Sequence, residues 1–124
     1  MGREQFSGQV KTEWLEEHPR NMRLLETITF TDSKGKIWTA EEDRIIDGAS
    51  IPRFFHRLVG SPFVGYYRRP SVFHDIECEL KRSQYKEVHS MFLEAMIADG
   101  VPKIKAMAIY RTVAIFGPKW NVDI

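Results

Sequence analysis

The sequence predicts an α+β fold: a small antiparallel sheet in the N-terminal half, packed with a helical hairpin and a third, C-terminal helix. Three observations predict it. Across residues 24–31 apolar and threonine positions alternate, and Asp32-Ser33-Lys34-Gly35 then supplies a turn. Tyr85, His89, Phe92 and Met96 are spaced 4, 3 and 4 apart, a stripe of helical period. Residues 103–116 are apolar nearly all round and are bracketed by Pro102 and Gly117-Pro118.

In chain order, residues 9–16 read as a strand in which Val10, Thr12 and Trp14 alternate with lysine and glutamate. It is expected to end at His18-Pro19, because the residue before a proline is restricted. The strand over 24–31 places Leu24, Ile28 and Phe30 on one face, and Glu26 on that face suggests a position near a sheet edge. Gly35 suits the positive φ that follows a type I turn, and residues 36–42, with Ile37 and Trp38, complete a hairpin. Ser50, Pro52 and Gly60 predict the N-cap, first turn and stop of a short helix. After a loop rich in glycine, proline and aromatics (61–70), Ser71 is expected to cap a helix reaching about Arg82. Ser83 is expected to cap a second from Gln84 to about Asp99, which Gly100 ends. The third helix has more apolar circumference than one contact covers. It is central to the fold or covered by a partner, with Met107, Tyr110 and Ala114 on the face expected to be left over.

Composition narrows the function classes. At 124 residues, with 43% hydrophobic and 28% charged, the chain matches one soluble domain spanning residues 1–124. It does not match a disordered, collagen-like or coiled-coil chain. Eighteen basic against 17 acidic residues give a formal charge of +1, so no bias of the whole molecule toward nucleic acid is expected. No apolar run approaches the ~18 residues of a transmembrane helix, and residues 1–10 lack the apolar stretch of a signal peptide. The single cysteine, Cys78, excludes an internal disulfide and an all-cysteine zinc site and fits a reducing compartment such as the cytoplasm.

Two places carry candidate chemistry. In Asp47-Gly48-Ala49-Ser50-Ile51-Pro52, a turn signal meets a helix-entry signal. Asp47 either satisfies turn donors or points into a pocket, where backbone N–H groups of the helix start would hold an anion. Ser50 lacks the surroundings of a nucleophile and is a binding candidate. The second place is His74-Asp75 on one helix of the hairpin, with Cys78 one turn later and His89 on the facing helix. A buried packing cluster is one reading of these residues. Another makes His74 a general base, with Asp75 orienting it or binding a cation. A third is a metal site, with zinc on His74, Cys78 and His89 or a cation bound by Asp75. Arg68-Arg69 beside Tyr66-Tyr67 reads as a solvated loop or a phosphate contact.

The Asp47–Pro52 motif, the His74-Asp75 pair, Phe92-Leu93-Glu94-Ala95-Met96, Gly100-Val101 and Phe116-Gly117 together resemble a family of small phage and prophage proteins of unknown function. The resemblance covers roughly residues 36–117 and implies a phage origin. The His-Asp hairpin is also similar to the catalytic hairpin of small bacterial and secreted phospholipases, which implies His74 as base and Asp75 as a calcium ligand. The chain departs from that pattern with Cys78 in place of a tyrosine and His89 in place of an aspartate, and it lacks the glycine-rich calcium loop. The family resemblance supplies no activity. The polar constellation of His74, Asp75 and Asp47 is read as the site of a phage hydrolase acting on an ester or amide of the host envelope or cell wall. The alternatives are a virion or assembly component (head, neck or tail), packing on other phage proteins or on itself through the third helix, and an early protein that binds a host factor. The corresponding locations are the cytoplasm of an infected bacterium or the virion.

Overall fold

The computed structural model describes residues 5–15, 18–46 and 68–121. The short helix expected from Ser50, and Asp47 itself, lie outside them. Among the described residues the architecture is α+β, with the strands in two small antiparallel sheets. One holds β1 (Gln5–Ser7), β4 (Ile28–Thr31) and β5 (Ile37–Ala40) in the order β1-β4-β5. The other holds β2 (Thr12–Leu15), β3 (His18–Leu24) and β6 (Ile45–Ile46) in the order β2-β3-β6.

The β4–β5 hairpin follows the alternation. Ile28 pairs with Ala40 and Phe30 with Trp38, and the two-residue period puts all four side chains on one buried face. Its turn is held by Asp32, whose Oδ1 accepts from the N–H groups of Lys34 and Lys36 and whose Oδ2 accepts from the Trp38 indole at 3.0 Å. Burial alone would raise the Asp32 carboxyl, but these donors outweigh it and hold it below its ordinary value. Gly35 takes φ +84°, as the turn requires.

Three strand expectations change. The alternation over 24–31 spans two strands, because β3 ends at Leu24, residues 25–27 are exposed, and β4 begins in the other sheet. Glu26 therefore marks the crossing between sheets, where it pairs with Lys11 at 3.0 Å, and β4 is the central strand of its sheet. His18-Pro19 opens β3 where a break was expected: proline is tolerated at the start of a strand, and His18 pairs with Leu15. The three-residue β1 is too short to show a period in the sequence.

The helices are α1 (Arg68–Leu80), α2 (Tyr85–Ala98) and α3 (Lys103–Phe116). Ser71 lies inside α1 and does not cap it. The helix begins at Arg68, and Pro70 sits in the first turn, where no N–H is needed. Lys81, with φ 55°, closes α1 before Arg82. Ser83 does not cap α2 either: the capping position is Gln84, without a side-chain bond, and the Ser83 hydroxyl accepts from Lys36 Nζ at 2.9 Å.

The central helix is α1. Every residue from Pro70 to Cys78 is buried, with α1 packed on β5, β6 and α2. Leu24, Ile28, Phe30 and Trp38 meet Val72, Phe73 and Ile76 in the main core, while Phe92, Met96, Ile109 and Val113 form a second cluster between α2 and α3. Buried Glu77 is neutralised by Arg82 at 2.5 Å, and Arg82 also reaches Glu41 and the Thr39 carbonyl, fastening α1 to β5. Arg68 and Arg69 are fasteners as well, in a helix and not in a solvated loop. Arg69 pairs with Asp99 and lies over the Phe6 ring, and Arg68 donates to the Thr12 hydroxyl at 2.7 Å.

Against α2, the third helix buries Ala106, Ile109 and Val113. That stripe leaves Met107, Tyr110 and Ala114 half-buried on its flanks, so the face expected to be open is displaced around the helix. The open apolar positions are Ile104 at 88%, Ile115 at 62% and Phe116 at 65% exposure. No helix among the described residues is long and apolar enough to cross a membrane.

Candidate functional site

Helical spacing puts His74 and Cys78 one turn apart on α1, and the turn after Leu80 folds α2 back so that His89 faces them. One donor atom from each of His74, Cys78 and His89 lies within 4.8 Å of the other two, and all three residues are buried. His74 Nε2 and His89 Nδ1 are 2.8 Å apart. The Cys78 sulfur is 3.8 Å from His74 Nδ1 and 3.6 Å from Nε2. Phe92 stacks on the His74 ring at 4.5 Å, forming an apolar floor.

The protons can be placed by elimination. His89 Nε2 is 2.9 Å from the Pro118 carbonyl, which only accepts, so Nε2 carries the hydrogen and donates. On a neutral ring, Nδ1 is then a bare lone pair, and His74 must donate to it from Nε2. Both rings are held neutral. Burial, with His89 alongside, pushes His74 well below its ordinary 6.5. Burial also lowers His89, with Lys119 adding to the effect and the Pro118 bond opposing it. The Cys78 thiol is pushed well up by burial and by the carboxylates of Asp75 and Glu77. It is a protonated thiol and not an activated nucleophile.

These shifts set a pH dependence. A histidine whose folded pKa lies below its unfolded value contributes stability that is present above the unfolded pKa and lost as pH falls below it. The metal-free protein is expected to lose stability between about pH 7.5 and about pH 5.5, by up to about 1.4 kcal/mol per pH unit for each imidazole that stays neutral when folded. Urea unfolding across that interval checks this, and a flat profile would contradict it. The carboxylates of Asp32 and Glu41, both lowered, titrate in a more acidic window and do not mask the effect.

The geometry fits a metal ion. A tetrahedral zinc with ligands at roughly 2.0–2.3 Å holds its donors roughly 3.3–3.8 Å apart. The sulfur–nitrogen distance of 3.6 Å matches that, and the 2.8 Å nitrogen pair needs to open only slightly. His89 already shows the outer bond typical of a ligating histidine, its second nitrogen donating to a carbonyl. Nitrogen and sulfur donors suit zinc and do not suit calcium, which takes oxygen ligands. Asp75 is buried beside the cluster without joining the three converging groups. Asp47 and Ser50 lie outside the described residues. The Pro118 carbonyl and Trp120, which abut His89, were not legible in the sequence. A backbone acceptor has no residue signature, and the only cue to Trp120 is an aromatic just after the Gly117-Pro118 stop.

Two curated relatives come from Sinorhizobium fredii (strain NBRC 101917 / NGR234). The uncharacterized protein y4jT is 37% identical over 119 residues, covering 95% of this chain and 35% of its own length. The uncharacterized protein y4iH is 37% identical over 92 residues, 74% of this chain and 38% of its own. The chain thus spans little more than a third of the relatives it matches. No solved structure matches it. The family model described as "Protein of unknown function (DUF1353)" matches residues 22–113, a stretch that contains all three converging side chains, and the chain belongs to that family.

Proposed function

We propose that this domain binds a divalent transition metal, best matched by zinc, through one ring nitrogen each of His74 and His89 and the Cys78 sulfur, and that it works as a hydrolase. The observation that carries the reading is the convergence of these atoms within 4.8 Å from two helices in a buried setting. Three protein ligands leave a fourth position, where a zinc ion supplies Lewis acidity toward an ester or amide. As a ligand, His74 gives its lone pair to the ion and does not serve as the general base. In this reading Asp75 tunes the centre through its charge, and Asp47 and Ser50 are substrate-side groups. A host-envelope substrate, a phage origin and a location in the infected cell or the virion belong to the proposal through the motif resemblance.

The test is metal analysis of the purified protein together with hydrolysis of activated esters and peptidoglycan amides, with and without chelator. About one equivalent of zinc and chelator-sensitive turnover are expected. Zinc without turnover would remove the hydrolase reading, and metal-free protein whose melting is indifferent to chelation would remove both.

A second reading, an assembly component, is favoured by the exposed Ile104, Ile115 and Phe116 on α3. It requires self-association or partner binding, seen by sedimentation, that Ile115→Glu reverses without unfolding the monomer.

A further inference from the structure

The chain after α3 turns back onto the candidate centre. Gly117 ends the helix with its N–H on the Val113 carbonyl at 2.7 Å, and a Cβ there would meet that carbonyl oxygen at 2.4 Å, so only glycine makes this exit without displacement. Pro118 then presents its carbonyl to His89 Nε2. Trp120 anchors the segment: its indole N–H donates to the Ser83 carbonyl at 2.8 Å, across the α1–α2 turn. Its ring stands edge-on to His89 at 6.2 Å and to Tyr85 at 6.1 Å. The strap is thus fixed at both ends, with the His89 acceptor between them.

We infer that residues 117–120 are a positioning strap, with Trp120 as the positioning residue, that selects the Nε2–H tautomer of His89 and so aims the Nδ1 lone pair at His74 and Cys78. Free imidazole offers either nitrogen as donor, and an Nδ1–H ring would turn a bare Nε2 lone pair toward the Pro118 carbonyl at 2.9 Å, where two acceptors would face each other. A carbonyl held at Nε2 removes that alternative. The inference concerns the centre of the proposed function but not its ion, and it holds in metal-free protein.

The experiment is long-range 1H–15N NMR of the imidazoles in the metal-free full chain. Wild-type His89 is expected to show a single Nε2–H tautomer, Trp120→Ala to show a mixture, and Trp120→Phe to show a smaller change of the same sign. Val101→Ala, which loosens the α2–α3 cluster, serves as the stability control and should leave the tautomer as in wild type. An Nδ1–H tautomer in the wild type would overturn the inference. So would an unchanged tautomer in the folded Trp120 variants, or a mixture appearing equally in Val101→Ala. If Trp120→Ala does not fold, Trp120→Phe and the wild-type spectrum decide the question. A protein that shows the expected tautomers but takes up no zinc would fail the proposed function and leave the strap intact.

Discussion

Phe92→Ala is expected to destabilise the protein by about 3–5 kcal/mol, the usual cost of emptying a buried phenylalanine site. Phe92 is fully buried between α2 and α3 in the cluster of Met96, Ile109 and Val113, and it also stacks under the His74 ring. Truncation therefore opens a cavity at the junction of the helical layer and the histidine pair. The neighbours cannot close it cheaply, because α1 is buried along most of its length and the His74 ring is tied to His89. Denaturant unfolding of the variant measures the loss. A cost under ~1 kcal/mol would mean that the stripe of α2 is not a core face.

Saturating zinc is expected to raise the stability of the wild-type protein by about 2.7 kcal/mol at ~100-fold excess over the dissociation constant, since only the folded chain assembles the three ligands. Cys78→Ser and His89→Ala should lose most of that increment, each removing one of three donors. Replacing Cys78 removes an apolar, protonated thiol, so the metal-free Cys78→Ser protein should remain folded and the missing increment can be read directly. Equal stabilisation of wild type and both variants would place the ion elsewhere.

Much of the fold was legible because two periods are plainly written. The β4–β5 hairpin and the helix boundaries at Gly100 and Gly117 follow from alternation and from glycine and proline punctuation. The centre was also legible in part: the i, i+4 spacing of His74 and Cys78, and a hairpin turn near residue 82, bring His89 to the same place. The central position of α1 was hidden, because its buried stretch includes Asp75 and Glu77, charged residues that a hydrophobic pattern does not count toward a core. Glu77 is buried only because Arg82, five residues on, turns back to it, and no hydrophobic pattern reports that. The split into two sheets was hidden for a related reason. The crossing at Leu25–Thr27 keeps the strand alternation while changing its partner, and pairing between β3 and β6 is a contact over a long separation in sequence.

Cobalt(II) titration of the metal-free full chain, read by absorption spectroscopy, reports whether two imidazoles and one thiolate hold an ion. Saturation is expected at about one equivalent, with the intense ligand-field bands of a tetrahedral site and a sulfur-to-cobalt charge-transfer band that Cys78→Ser abolishes. Weak octahedral bands without sulfur charge transfer, or a charge-transfer band that survives Cys78→Ser, would contradict it.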